Sequence, residues 1–201
     1  MKQALLIGCG NQRGEYIIKG CIEAGYNVTN IGASNSTIPN VTNISINWKK
    51  LDLVQVHKIL KNIETDVNFI FFNQNSSSLS QDSFTREKET LNTWRLIKSW
   101  TNSYWLSCQM PYFIIKTLDK QLSNQTTIGW MLSSYIDSNK KGVSKFPDYS
   151  GYKFTNYLLM KNFSKHFKCF GINPDFTNLE NMKTLIKNIC SGNKTVNGEI
   201  F

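Results

Sequence analysis

Two side chains four residues apart, Tyr149 and Lys153, could move a proton between them and a bound molecule. In a helix this spacing places both side chains on one face. A tyrosine is a poor base at neutral pH because its ordinary pKa is about 10. A neighbouring ammonium group favours the phenolate and lowers the pKa of the tyrosine. The pair therefore indicates general acid–base chemistry centred on Tyr149.

The same spacing occurs a second time, at Tyr157 and Lys161, and one such pair is expected by chance in a chain of this composition. We favour Tyr149 because it lies at the start of a predicted helix, shortly after a predicted strand that ends in Ser133 and Ser134. Tyr157 lies two turns deeper in that helix. It is predicted to pack within the protein or to face a partner helix.

A glycine turn near the N-terminus, Gly10-Asn11-Gln12-Arg13-Gly14, could bind a phosphate group. It follows a predicted strand and opens a predicted helix. Glycine lets the backbone bend sharply and approach a pyrophosphate, while the helix N-terminus offers free N–H groups and a positive dipole. An ordinary strand-to-helix turn would have the same sequence context. Residues further along the chain must therefore distinguish a phosphate-binding turn from an ordinary one.

The elements that position these residues are strands alternating with helices. Short apolar runs alternate with amphipathic stretches, which is typical of βαβ units and a parallel sheet. The predicted strands are residues 3–7, 27–31, 43–47, 67–72, 126–133, 167–172 and 195–201. The predicted helices are residues 15–24, 51–63, 87–99, 102–118, 149–166 and 178–190, and Pro111 predicts a kink or break. The pattern predicts one Rossmann-type, doubly wound α/β domain over residues 1–201, with about seven strands and helices on both faces.

The net charge of +9 raises the question of a nucleic-acid partner. The lysines are scattered along the chain and form no dense basic run interleaved with aromatic residues. We therefore expect a solvated basic surface that attracts an anionic cofactor or substrate, and no nucleic-acid partner.

The five cysteines are odd in number and form no CxxC pair, so we expect reduced, mostly buried thiols and no metal site. No apolar run approaches the length that spans a bilayer, so we expect no membrane association. The apolar run near the N-terminus is interpreted as the first strand and not as a signal peptide, which predicts a cytoplasmic protein.

In this order, the glycine turn, Asn102, the pair Ser133-Ser134 and the segment Tyr149-Ser150-Gly151-Tyr152-Lys153 resemble the short-chain dehydrogenase/reductase family. The resemblance covers residues 3–201. In the family's usual pattern, Thr-Gly-xxx-Gly-x-Gly, Cys9 takes the threonine place, Gly10 and Gly14 match, and Tyr16 replaces the third glycine. The resemblance implies hydride transfer between a nicotinamide cofactor and a small-molecule carbonyl or alcohol.

The resemblance also implies a role for each catalytic side chain. Tyr149 would donate or accept the proton, and Lys153 would lower its pKa and bind the nicotinamide ribose. Ser134, with Ser133 as the alternate, would bind the substrate oxygen. Asn102 would hold a water molecule that relays protons to the lysine.

The expected cofactor is NADP, with NAD possible. The stretch after the second predicted strand contains no acid that would bind the ribose hydroxyls of NAD, and Ser34 and Ser36 could donate to a 2′-phosphate. Arg13 stands where family members that prefer NADP often carry a basic residue. The residues expected to bind the cofactor are Gly10, Asn11, Arg13, Gly14, Ser34, Asn47, Asn73 and Lys153.

Two segments depart from the family pattern. The family's Asn-Asn-Ala-Gly corresponds to residues 72–76, Phe-Asn-Gln-Asn-Ser, and its later Pro-Gly is Pro174-Asp175. The helical insert that normally covers the substrate is missing or very short, so the C-terminal substrate region is shortened and the site is expected to be open or completed by another subunit. These departures keep a second hypothesis in view, a non-catalytic relative that binds a nucleotide or a protein partner.

Family members commonly form dimers or tetramers through the two long helices on either side of the fifth strand. In this chain those helices carry apolar side chains at Trp105, Leu106, Met110, Phe113, Tyr157, Leu158 and Met160. The resemblance therefore implies a homodimer or homotetramer.

Overall fold

Seven parallel strands form one sheet in the computed structural model, which describes residues 2–46, 53–63, 66–74, 101, 104–133, 136, 147–174 and 178–201. The strands are β1 (Lys2–Ile7), β2 (Tyr26–Gly32), β3 (Val41–Ser45), β4 (Phe69–Phe72), β5 (Thr127–Met131), β6 (Lys168–Ile172) and β7 (Glu199–Ile200). They lie in the order β3-β2-β1-β4-β5-β6-β7. The chain winds outward from β1 in one direction and then returns to β4 on its other side. The topological switch point, where such sheets bind ligands, therefore lies between β1 and β4.

Five α-helices connect the strands within the described residues: α1 (Gln12–Glu23), α2 (Leu53–Lys61), α3 (Met110–Thr117), α4 (Pro147–Phe163) and α5 (Leu179–Cys190). Alternate residues of the central strands point to opposite faces, so Leu5 and Ile70 pack in one core with α2, α3 and α4. Leu6 and Phe71 pack in the other core with α1 and α5. The predicted doubly wound sheet with helices on both faces is confirmed.

The central strands are buried on both faces, which explains their nearly continuous apolar sequence. All four residues of β4 are buried, and four of the five residues of β5 are buried. The predicted strand boundaries differ by up to two residues in the central strands β4 and β5, and the largest difference is at the sheet edge. The third strand ends at Ser45 and not at residue 47, and β7 has two residues where seven were predicted. Edge strands have fewer ladder partners, so local sequence specifies their ends weakly.

The helix predicted over residues 102–118 contains a wider turn before its proline. A π-helical turn, Trp105–Gln109, precedes α3, and the Met110 amide donates to the Trp105 carbonyl. Pro111 has no N–H group, and its ring would collide with the carbonyl four residues earlier in a regular α-helix. The wider turn accommodates the proline. It is the interruption of the helix that the sequence predicted at Pro111. The helix predicted over residues 87–99 lies outside the described residues.

All five cysteines are buried free thiols, as predicted. The described residues contain no group of three or more His, Cys, Asp or Glu side chains that could hold a metal ion. In the same part of the chain, no helix combines the length and apolar character that crossing a membrane requires.

Candidate functional site

The glycine turn lies at the carboxyl end of β1 and leads directly into α1. Gly8 follows the strand with a positive φ of 77°. Asn11 then caps the helix, because its Oδ1 accepts a hydrogen bond of 2.8 Å from the Gly14 amide. The predicted context of strand, turn and helix is therefore present.

At two positions of the turn, only glycine fits without a steric collision. A Cβ atom at Gly10 would collide with the Ser34 carbonyl, and a Cβ atom at Gly14 would collide with the backbone of Cys9. Gly10 thus lets the loop after β2 approach the turn. Gly14 lets the first turn of α1 pack directly on the chain that leaves β1.

The first turn of α1 presents backbone donors at the carboxyl edge of the sheet. The Glu15 amide donates 2.9 Å to the Asn11 carbonyl, so the amides of Gln12 and Arg13 precede the first intrahelical hydrogen bond. These amides and the positive end of the helix dipole suit an anionic phosphate group. The turn therefore has the shape and the donors that the phosphate bridge of a dinucleotide requires.

Asn73, at the end of β4, holds the glycine turn in place. Its amide donates 2.9 Å to the Ile7 carbonyl, and its Nδ2 donates 3.0 Å to the Gly8 carbonyl and 3.2 Å to Asn11 Oδ1. Asn73 is buried. Its side-chain donors are used within the protein, so this residue shapes the turn that was predicted to bind a cofactor.

Two asparagines that sequence reasoning missed fix the loop after β2. The buried Asn30 accepts 3.1 Å from the Cys9 amide and donates 3.2 Å to the Ser34 carbonyl and 3.1 Å to Asn43 Oδ1. Asn43 in turn exchanges hydrogen bonds of 2.8 and 3.2 Å with the backbone of Ser36. The sequence signal that could have identified them is that each is a polar residue at an inward-facing position of a predicted strand. The network holds the exposed Ser34 beside Gly10.

A carboxylate also lies beside this loop. Glu15 Oε1 accepts hydrogen bonds from Thr37, at 2.6 Å from Oγ1 and 3.4 Å from the backbone amide. The hydrogen bond from the Thr37 side chain is the main reason that the pKa of Glu15 is lowered. The first turn of α1 therefore carries one cation, Arg13, and one anion, Glu15, on its exposed surface.

Lys153, on α4, reaches the carboxyl edge of the sheet, the edge that carries the glycine turn and outside which such sheets form their ligand-binding crevice. Its side chain is buried, with 2% of its surface exposed, and Nζ donates 2.9 Å to the Met131 carbonyl at the end of β5. Burial is the main reason that the pKa of Lys153 is lowered to about 8; the nearby positive charge of Arg13 contributes to the lowering, and Cys108 acts in the opposite direction. The structure thus brings Lys153 and Arg13 to the same crevice.

The remaining predicted catalytic residues are described in part. Tyr149 lies in the first turn of α4, four residues before Lys153 on the same helix, and its side chain lies outside what the structure describes. Ser134, Asn102 and Asn47 also lie outside the described residues. Ser133, the alternate to Ser134, is buried just after β5.

The second tyrosine–lysine pair packs differently. Tyr157 is half-buried against the core below α4, and the Lys161 ammonium lies 5.8 Å from the centroid of its ring. This agrees with the expectation that Tyr157 packs within the protein.

The burial of Lys153 predicts a pH-dependent stability. Because its pKa is about 8 in the folded protein and 10.5 ordinarily, the unfolded chain binds the proton more tightly. The contribution of Lys153 to the free energy of unfolding should therefore be smallest below pH 8 and rise by about 3 kcal/mol between about pH 8 and 10.5. Urea denaturation across this range should show the wild type becoming more stable relative to Lys153→Met, because the buried thiols, whose raised pKa values act in the opposite direction, are present in both proteins. Parallel profiles for the two proteins would contradict the assignment.

No model of a known protein family matches this sequence, and no curated protein is similar to it in sequence. Solved structures are nevertheless similar along the whole chain. One is a short chain dehydrogenase family protein from Francisella tularensis, with 16% identity, a TM-score of 0.75, and coverage of 100% of this chain and 96% of that one. A second is the RhlG/NADP active-site complex of Pseudomonas aeruginosa, with 12% identity, a TM-score of 0.74, and coverage of 100% and 93%.

A third similar structure is an oxidoreductase of the short chain dehydrogenase/reductase family from Brucella ovis, in complex with a partially ordered NAD. It shares 14% identity with a TM-score of 0.74, and the match covers 100% of this chain and 98% of that one. Structural similarity over the whole chain at such low identity establishes the fold. It does not establish the roles of individual side chains. The protein has the fold of the short-chain dehydrogenases and reductases.

Proposed function

We propose that this protein is an NAD(P)(H)-dependent oxidoreductase that interconverts a small-molecule carbonyl and alcohol. The observation that carries the proposal is the pairing of two features across one crevice. A glycine turn opens α1 at the switch point of the sheet, and Lys153 reaches the end of β5 from α4. A bound nicotinamide would supply the hydride chemistry.

The side chains of this protein supply position and a proton. The glycine turn and the first amides of α1 would hold the phosphate bridge of the cofactor, and Lys153 would bind its ribose. Tyr149 would give or take the proton at its hydroxyl oxygen. With a pKa of about 8, Lys153 is mostly charged at neutral pH and favours the phenolate of Tyr149.

Two further residues complete the proposed catalytic group. Ser134, with Ser133 as the alternate, would orient the substrate oxygen and stabilise the charge that develops there. Asn102 would support the proton relay to Lys153. The chain runs from the end of β6 to the start of α5 in residues 173–178, which supports a single domain over residues 1–201 with a shortened substrate region.

We propose that NADP(H) is preferred. Three observations support this: the loop after β2 carries no acid, Ser34 is exposed there, and Arg13 is an exposed cation on the first turn of α1. One observation favours NAD(H) instead. Thr37 holds the Glu15 carboxylate beside this loop, where it would repel a 2′-phosphate.

Titration calorimetry with NADPH and NADH on the wild type and on Arg13→Ala tests the proposed function. We expect micromolar NADPH binding that the substitution weakens about tenfold, because a hydrogen bond to a charged group is lost. NADH binding should change less. Lys19→Ala, another exposed cation of α1, is the matched control and should bind both cofactors as the wild type does.

The outcomes of this titration separate the alternatives. Equal weakening of both cofactors by Arg13→Ala would mean that Arg13 contacts a group they share, and the NADP preference would be wrong. The absence of binding to either cofactor would contradict the proposed function. Binding without turnover would favour the non-catalytic hypothesis, which Tyr16 motivates. The Tyr16 ring lies on α1 with the Lys19 ammonium 4.8 Å from its centroid.

A homodimer or homotetramer through α3 and α4 is part of the proposal. The exposed large apolar side chains on and next to these helices are Tyr104, Tyr112, Phe154 and Leu158. A sedimentation mass equal to the monomer at every concentration would contradict this assembly.

We also propose a cytoplasmic location, because five free, buried thiols suit a reducing compartment.

A further inference from the structure

Gln74 lies at the switch point between β1 and β4. It follows β4 by two residues, and its side chain lies beside Gly8, the residue that follows β1. Its Cγ atom lies 3.5 Å from the position that a Cβ atom on Gly8 would occupy. The side chain of Gln74 is therefore held at the edge of the sheet where this fold binds ligands.

The amide nitrogen of this side chain is a buried donor with no acceptor in the part of the chain that the structure describes. Gln74 Nε2 is shielded from solvent and makes no hydrogen bond to any residue that the structure describes. Leaving a buried donor unpaired costs free energy, and most buried side-chain donors have a partner. A donor kept at a ligand-binding edge despite this cost indicates that a ligand supplies the acceptor.

The surroundings of Gln74 indicate the chemistry of that acceptor. The oxygens nearest the turn are already used, because the Gly8 carbonyl and Asn11 Oδ1 both accept from Asn73. Donors and cations at the same edge of the sheet include the first amides of α1, Arg13 and Lys153, while the Glu15 carboxylate is held away by Thr37, beside the loop after β2. Such a set suits an anion with several oxygens, and a phosphate group is the natural match.

We infer that Gln74 Nε2 donates a hydrogen bond to the phosphate bridge of the nicotinamide dinucleotide. This inference rests on the proposed function. The family's Asn-Asn-Ala-Gly has no glutamine in this segment, so the contact is a property of this chain. Because NAD and NADP share the phosphate bridge, Gln74 contributes to affinity for both and does not select between them.

Two substitutions test the inference by calorimetry with NADH, NADPH and ADP-ribose. Gln74→Met keeps the packing on Gly8 and removes the donor, so it should weaken all three ligands equally, by about tenfold. Gln74→Glu places a carboxylate against the phosphates and should weaken them by about a hundredfold. Without ligand, the melting temperature of Gln74→Met should equal or exceed that of the wild type, because an unpaired donor has been removed.

The matched control is Gln121→Met. Gln121 also has an unpaired buried amide atom, Oε1, but it lies at the opposite edge of the sheet, where its backbone carbonyl accepts from Val67. The control should bind all three ligands as the wild type does. Loss of binding in this control equal to that in Gln74→Met would overturn the inference, because the effect would then not be local.

The remaining outcomes are distinct from one another. If the wild type binds dinucleotide and Gln74→Met binds it equally well, the inference is wrong and the proposed function stands. Weakening of NADPH alone, or a lower melting temperature with unchanged affinity, would also overturn it. If the wild type binds none of the three ligands, both the inference and the proposed function are wrong.

Discussion

Replacing Tyr149 with phenylalanine is expected to lower kcat about a thousandfold and to leave the dissociation constant of the dinucleotide unchanged. The substitution keeps the ring and removes only the hydroxyl group that would transfer the proton. Tyr149 lies one helical turn before Lys153 on α4, so the ammonium group can stabilise the phenolate. The rate is measured by the absorbance of the reduced cofactor, with a carbonyl substrate identified in a screen of the wild type.

The second tyrosine–lysine pair provides the control. Tyr157 occupies the same helix, and its half-buried ring packs against the core. Tyr157→Phe should therefore keep a kcat within a few-fold of the wild type. The opposite result, with normal turnover in Tyr149→Phe and none in Tyr157→Phe, would show that the wrong pair has been assigned.

Replacing Gly14 with alanine is expected to destabilise the protein by about 3 kcal/mol and to abolish dinucleotide binding. An added Cβ atom would collide with the backbone of Cys9, and neither partner is a flexible side chain that could move aside. The first turn of α1 would have to shift away from β1. That shift would displace the Asn11 cap and the amides that present donors to the ligand.

Gly151→Ala is the matched control, because a Cβ atom there would meet no atom within 4 Å. Gly151 lies within α4, where alanine favours the helix by up to about 1 kcal/mol. Urea denaturation should therefore show opposite signs for the two substitutions. Equal stabilities for Gly14→Ala and Gly151→Ala would mean that α1 is not packed on Cys9 as the structure shows.

Much of the fold was predictable because its signals are local. The apolar runs that became β4 and β5 lack alternation, and a strand buried on both faces needs none. Gly10 and Gly14 between a strand and a helix predicted the phosphate-binding turn. Local spacing also predicted that Tyr149 and Lys153 would share a helix.

The strand ends were less predictable. β3 stops at Ser45 and β7 has only two residues, because each end depends on pairing with a strand distant in sequence. The π-helical turn before Pro111 has a local cause, and the sequence indicated an interruption there without its geometry.

The order of strands and helices, the glycine turn and the tyrosine–lysine spacing could be predicted from the amino-acid sequence, since they follow from neighbours along the chain. Which polar groups are buried, and what they bond, became known from the folded chain alone. Folding placed Asn30 against the Cys9 amide, buried Lys153 against the Met131 carbonyl with a lowered pKa, and left the Gln74 amide nitrogen without an acceptor among the described residues. The physical reason is that desolvation and hydrogen bonding depend on atoms brought together from distant parts of the chain.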